Sequence, residues 1–271
     1  MVSTLHSPGR ARRYMTDEAA RHRDQLLISA CVALVTILAW AYLFRLDHRM
    51  SADLRDEKMM AAMGMSVDSV WTGPDALFTF AMWSVMMVGM MAPTALPMLL
   101  MFASAKAGRS QRGLSLPTLT FGLGYIAVWT GFSAGATLVQ YGLHSAALLS
   151  PAMASSSTRF TGAILLAAGA YQLTHWKARC LMHCRSPFGF LMTKWRDGAF
   201  GAFQMGFRHG TYCLGCCWAL MCLLFAVGVM NLVWVAILTG FVLMEKIGPA
   251  GAIAARIAGA AMVILGIAVI V

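Results

Sequence analysis

Long apolar stretches broken by short polar segments give this chain its pattern. The first, Leu26 to Phe44, carries no charge. Six more follow: Ala76 to Ala103, Thr118 to Tyr141, Thr158 to Thr174, a stretch from near Gln204 to Met230, Leu232 to Met244, and Ala250 to Val271. A bilayer crossing takes about 20 mostly apolar residues. The pattern therefore predicts an all-α, polytopic membrane bundle of seven transmembrane helices, forming one domain over residues 26–271 behind a polar leader at 1–25. The sixth stretch is cut short by Glu245 and Lys246. The last carries Arg256 near its start, from where the side chain can snorkel to the interface. Ala39-Trp40-Ala41 resembles a signal-peptidase site, but the leader before it is too long and the apolar run exceeds a usual signal core.

Composition excludes the main alternatives. Of 271 residues 59% are apolar and only 12% charged, against roughly a quarter charged in a soluble globular chain. A water-soluble core and a large extramembrane domain are both ruled out. The net charge of +10 does not read as a nucleic-acid footprint, because the basic residues sit at the ends of apolar segments. It reads as an orientation signal. Arg10, Arg12, Arg13, Arg21 and Arg23, then Lys106, Arg109 and Arg112, then Lys177, Arg179, Arg185, Lys194 and Arg196 fall on one side of a seven-span topology, which places the N-terminus in the cytoplasm.

Chemistry concentrates in the cysteines. Their odd number, seven, argues against a fully paired disulfide framework. Cys180 and Cys184 share one short segment with His175 and His183, while His209, Cys213, Cys216 and Cys217 share another. On a helix His209, Cys213 and Cys216 lie within roughly 60° of one another, with Cys217 at the margin. Both groups are expected near the cytoplasmic boundary, where thiols stay reduced. Thiolate and imidazole select Cu(I) or Zn(II) over hard cations, so a soft-metal site is the sharp reading. Redox pairing and plain packing are the alternatives, and packing is the reading for Cys31 and Cys222.

Methionine adds a second candidate. In the second apolar stretch Met82, Met86, Met87 and Met90 fall along one helix side, either as core packing or as weak thioether ligands in a copper conduit. Pro93 and Pro97 are expected to kink or loosen that helix. A Met-rich outer loop at 45–74, with His48, Met50, Met59, Met60, Met63 and Met65, is either an interfacial amphipathic segment or a metal-capture surface. Glu245, Lys246 and Arg208 are expected at an interface, salt-bridged or solvated. A Gly-rich Lys-Ser/Thr nucleotide loop is lacking, which argues against ATP-driven pumping by this chain.

The sequence resembles a bacterial family of predicted metal-binding integral membrane proteins, some of them labelled copper chaperones. The resemblance rests on Trp83 to Pro97 with its paired methionines, Cys180-Leu-Met-His-Cys184-Arg-Ser-Pro187, Gly206 to Met221 with its double cysteine, and Glu245-Lys246. With the residue chemistry above, an inner-membrane, non-enzymatic protein that handles copper, or zinc as the other metal, is expected; the resemblance itself implies a membrane protein with a metal-related role for which copper is the label. It adds weight to Cys180, Cys184, His209, Cys213, Cys216 and Cys217 as ligands, with uptake, transport or delivery to a cuproenzyme or metallochaperone as the role. A membrane thiol-disulfide oxidoreductase, and an assembly factor with structural cysteines, remain the rival readings.

Overall fold

The computed structural model describes residues 8–63, 73–107, 116–146, 157–229 and 231–271. Among these every regular element is helical: α1 (Pro8–Ala62), α2 (Gly73–Ala107), α3 (Leu116–Ser145), α4 (Thr158–Gln172), α5 (His175–Arg185), α6 (Pro187–Lys194), α7 (Gly198–Cys222), α8 (Leu224–Val227), α9 (Leu232–Ile247) and α10 (Gly251–Ile270). The all-α expectation holds.

Five helices among the described residues are long and apolar enough to cross a membrane: His22–Ala52, Gly73–Lys106, Leu116–Ser145, Gly198–Val227 and Gly251–Ile270. The sequence pattern predicts seven. The two that fall short are α4, with 15 residues, and α9, with 16. At 1.5 Å per residue they measure about 22 and 24 Å, less than the roughly 30 Å of a hydrocarbon core. Each is stopped by identifiable chemistry. Thr174 caps the polar helix α5, its hydroxyl accepting from the Lys177 amide at 3.3 Å. Gly248, extended at ψ 143°, precedes Pro249, which disfavours helical backbone before it.

The first helix is longer than expected. Neither Gly nor Pro occurs between Gly9 and Gly64, and α1 runs through the polar stretch that reads as an outer loop, carrying His48, Met50, Met59 and Met60 on a helix. Met65, Arg109 and Arg112 lie outside the described residues. Helix α2 likewise continues through Pro93 and Pro97, so the prolines end nothing.

Glycine sets the closest helix pairs. In α3 and α7, a Cβ on Gly124 would strike the Phe203 carbonyl, one on Gly206 the Phe121 carbonyl, and one on Gly210 the Val128 side chain. Residue numbers rise together along the contact, so the two helices run parallel. Helices α4 and α10 run antiparallel, with Gly162 against Gly266 and Gly169 against Gly259. Small residues of this kind let apolar helices approach closely. The core they enclose holds Met82, Trp83, Met86, Met87, Met90 and Met91 of α2, Tyr125 and Trp129 of α3, and Cys213, Cys216 and Cys217 of α7. Helices α1 and α10 form the outside, each with only 17% of its apolar window buried, and expose Leu34, Ile37, Ile257 and Ile264.

Candidate functional site

Four predicted ligands, His209, Cys213, Cys216 and Cys217, share the buried face of α7. The helical spacing expected from the sequence is realised. Because α7 begins at Gly198 and not near Gln204, Cys213 sits about 22 Å along the helix. The Cys213 carbonyl accepts the thiols of Cys216 at 3.0 Å and Cys217 at 2.9 Å.

Helix α5 brings the first cysteine group against this face. Cys184 Sγ lies 4.0 Å from Cys216 Sγ. Cys180 is half-buried against Gly215, where any Cβ would stand 2.8 Å from the Cys180 sulfur; the glycine makes the room. Cysteines separated by more than thirty residues therefore meet, as the sequence reading requires. None of the described cysteines is disulfide-bonded. Outside the spans, the Cys184 thiol is held well above its ordinary range, because the sulfurs of Cys213 and Cys216 beside it retain its proton and burial adds to this. Burial, then the nearby Cys216, pushes the Cys180 thiol up.

A polar knot on the other side of Cys213 was not legible as such. Lys246 Nζ of α9 donates to Cys213 Sγ at 2.9 Å and to Thr94 Oγ1 at 3.2 Å, and stands 3.9 Å from Met91 Sδ. The Tyr125 hydroxyl lies 3.0 Å from the same Cys213 sulfur and 3.1 Å from the Met91 carbonyl. Lys246 is 8% exposed. Solvation at an interface, one of the two readings for it, is overturned: the ammonium is buried and spends its hydrogen bonds on Cys213 and Thr94.

The neighbouring Glu245 faces the opposite way. Its two oxygens accept from Lys177 Nζ, each at 2.8 Å, and Gln172 Nε2 donates to Oε1 at 3.1 Å. Lys177 also donates to Gln172 Oε1. Both charged groups are 1% exposed. Two adjacent residues of α9 thus serve two separate charge pairs, one joined to α5 and one to α7. The interruption of an apolar run by Glu245-Lys246 was the available signal; Tyr125, Thr94 and Met91 gave none.

His209 sits one turn before Cys213 on the same buried face of α7. Its ring stacks on Tyr125 with centroids 5.9 Å apart, and its Nδ1 is buried without a hydrogen-bond partner. Met86, Met87 and Met90 are fully buried in the same core. His183 stacks on Tyr212 at 4.4 Å.

Among the described residues, no three His, Cys, Asp or Glu side chains converge at metal-binding spacing. What the geometry provides is a pair, Cys184 and Cys216, beside a third sulfur already engaged by Lys246 and Tyr125. No curated protein and no solved structure matches the chain. The PpoB2 family model, described as copper chaperone, matches residues 80–269, from α2 to α10, which includes every residue of this site and leaves out α1. The chain thus belongs to the PpoB2 copper chaperone family.

Proposed function

We propose that this protein carries Cu(I) as cargo in the bacterial inner membrane and delivers it to a cuproenzyme or a second metallochaperone, with Cys184 and Cys216 as the gripping pair. The observation that carries the reading is their separation of 4.0 Å. With metal–thiolate bonds of about 2.3 Å, two sulfurs at that distance enclose an angle of about 120° at a shared ion. That leaves room for one further weak donor and suits a soft monovalent ion. Zinc prefers four donors, and a pair without a third His, Cys, Asp or Glu fits it less well.

In this reading the residues divide the work. Cys184 rides on the short helix α5 and Cys216 on the long α7, so a small movement of α5 opens or closes the grip. Cys213 is held as a thiolate by Lys246 and Tyr125 and offers a neighbouring sulfur to which the ion can pass. Cys180 and Cys217 flank the pair, and Met91 Sδ, with Met86, Met87 and Met90, continues the soft surface into α2. His209 can serve as a ligand through Nδ1 only after the aromatic stack around it shifts. Helices α4 and α9 complete a seven-span topology with the N-terminus in the cytoplasm, and α5 then lies on the cytoplasmic side.

The same two free thiols favour one other reading, a thiol-disulfide oxidoreductase in which Cys184 and Cys216 form a reversible bridge. Alkylation mapping of the purified chain separates the two. The copper reading predicts that Cu(I) shields Cys184 and Cys216 from alkylation and that a chelator restores their reactivity. A Cys184–Cys216 disulfide released by reductant, with no protection by Cu(I), overturns it in favour of redox work.

A further inference from the structure

Away from the sulfurs, a cavity of about 550 Å³ opens between α5 and the start of α10. Its polar lining joins the neutral Gln172, Thr174 and Ser186 to the basic His175, Lys177, Arg185 and Arg256, with no Asp or Glu among the residues that line it. The charge of Lys177 is matched from behind by Glu245. Arg185 is not matched in this way. Its Nη2 donates to the Gly248 carbonyl at 2.7 Å, a neutral acceptor that leaves the guanidinium charge uncompensated. Arg256 projects from the second turn of α10 and is exposed. Two arginines therefore face one concavity with positive charge in excess.

The rim is apolar. Leu173, Trp176, Ile253 and Ile257 are 50%, 72%, 62% and 65% exposed. Helix α10 has 20 residues, about 30 Å or one hydrocarbon thickness, so a fully spanning α10 starts at a membrane boundary. Exposed tryptophan at that level marks the headgroup zone. Basic pockets between membrane helices at this depth suit phosphate headgroups, and paired arginines suit phosphate oxygens in particular.

We infer that this cavity binds the phosphate of an anionic phospholipid, held by Arg185 and Arg256, with an acyl chain leaving past Leu173. The inference rests on the chain's lying in a membrane and not on copper binding. Arg185 is adjacent to Cys184 on α5, so a bound headgroup fastens α5 to α10 and steadies the helix that carries one half of the sulfur pair.

Native mass spectrometry of the full chain, released from nanodiscs containing equal phosphatidylglycerol and phosphatidylcholine, tests the idea. Wild type retains phosphatidylglycerol preferentially. Arg256→Gln, an exposed change that leaves the core untouched, reduces that preference about fivefold, and Arg185→Gln combined with it about twentyfold. Lys194→Gln with Arg208→Gln, which removes two charges outside this cavity, leaves the preference as in wild type. Equal retention of the two lipids by wild type, or an undiminished preference in the Arg185/Arg256 double variant, overturns the inference. Millimolar inorganic phosphate that displaces the retained lipid overturns it in favour of a free-phosphate site.

Discussion

Lys246 Nζ stands 2.9 Å from Cys213 Sγ, inside the packed core and with the other polar neighbours of the ammonium being a hydroxyl and a thioether. Such a pair is poor evidence of net stability, because two charges must leave water to form it. Under the proposed function its value lies in what it would fix: a sulfur held as thiolate, the form that binds soft metals.

Removing one member alone exposes the cost. Lys246→Met is expected to destabilise the protein by about 3–5 kcal/mol, since it strands a buried thiolate. Lys246→Met with Cys213→Ala recovers a large part of the loss. Thermal unfolding of the four members of this cycle in detergent reads the coupling; additive losses would show that the two groups do not form a charge pair.

The second pair behaves independently. Glu245→Gln leaves the Lys177 ammonium without its anion at a site 1% exposed, and a loss of about 3–5 kcal/mol follows. Because Glu245 bonds α4 and α5 but not the sulfurs of α7, the Cu(I) stoichiometry of whatever protein still folds should be unchanged. Metal analysis beside the unfolding curve checks both halves of that statement.

Proton competition sets the pH dependence. The Cys184 thiol is held above its ordinary range chiefly by the sulfurs of Cys213 and Cys216, and metal binding must expel that proton. Since a raised pKa keeps the thiol protonated to higher pH, apparent Cu(I) affinity climbs by about tenfold per pH unit through the neutral range and past about pH 8.5, where an ordinary thiol would level off. Competition with a chromophoric Cu(I) chelator across pH reads the slope, and Cys184→Ser should flatten it. An equal slope in wild type and Cys184→Ser would remove Cys184 from the site.

Packing gives a contrast within one helix pair. Gly206→Ala forces a Cβ into the Phe121 carbonyl, with no flexible side chain to give way, and should cost about 1–3 kcal/mol or more. Gly131→Ala, on α3 where nothing lies within 4 Å of the new Cβ, should be neutral or mildly stabilising. Protein yield and unfolding temperature distinguish them.

Much of this architecture can be read from residue pattern, and its gaps have physical causes. Apolar runs located every membrane-capable helix, because hydrocarbon burial is proportional to local composition. At Thr158–Thr174 and Leu232–Met244 the helices formed have 15 and 16 residues, short for a straight crossing, with a threonine-capped helix following the first and a Gly-Pro step closing the second. The site was half legible. The i, i+3 and i+4 spacing of Cys213, Cys216 and Cys217 follows from helix geometry alone, and their meeting with Cys184 was inferred from chemical likeness. Lys246 with Tyr125, Thr94 and Met91 was not, since those contacts come from α2, α3 and α9 folded together, and no local pattern encodes which helix faces which.

Cu(I) titration of the purified chain against a competing chelator, for wild type beside the Cys184→Ser/Cys216→Ser double variant, decides whether this sulfur pair holds the ion. Wild type should hold one ion tightly, and the variant should lose affinity on the order of a hundredfold or more, with unfolding temperature little changed. Equal affinity in the two proteins, or none in either, would contradict it.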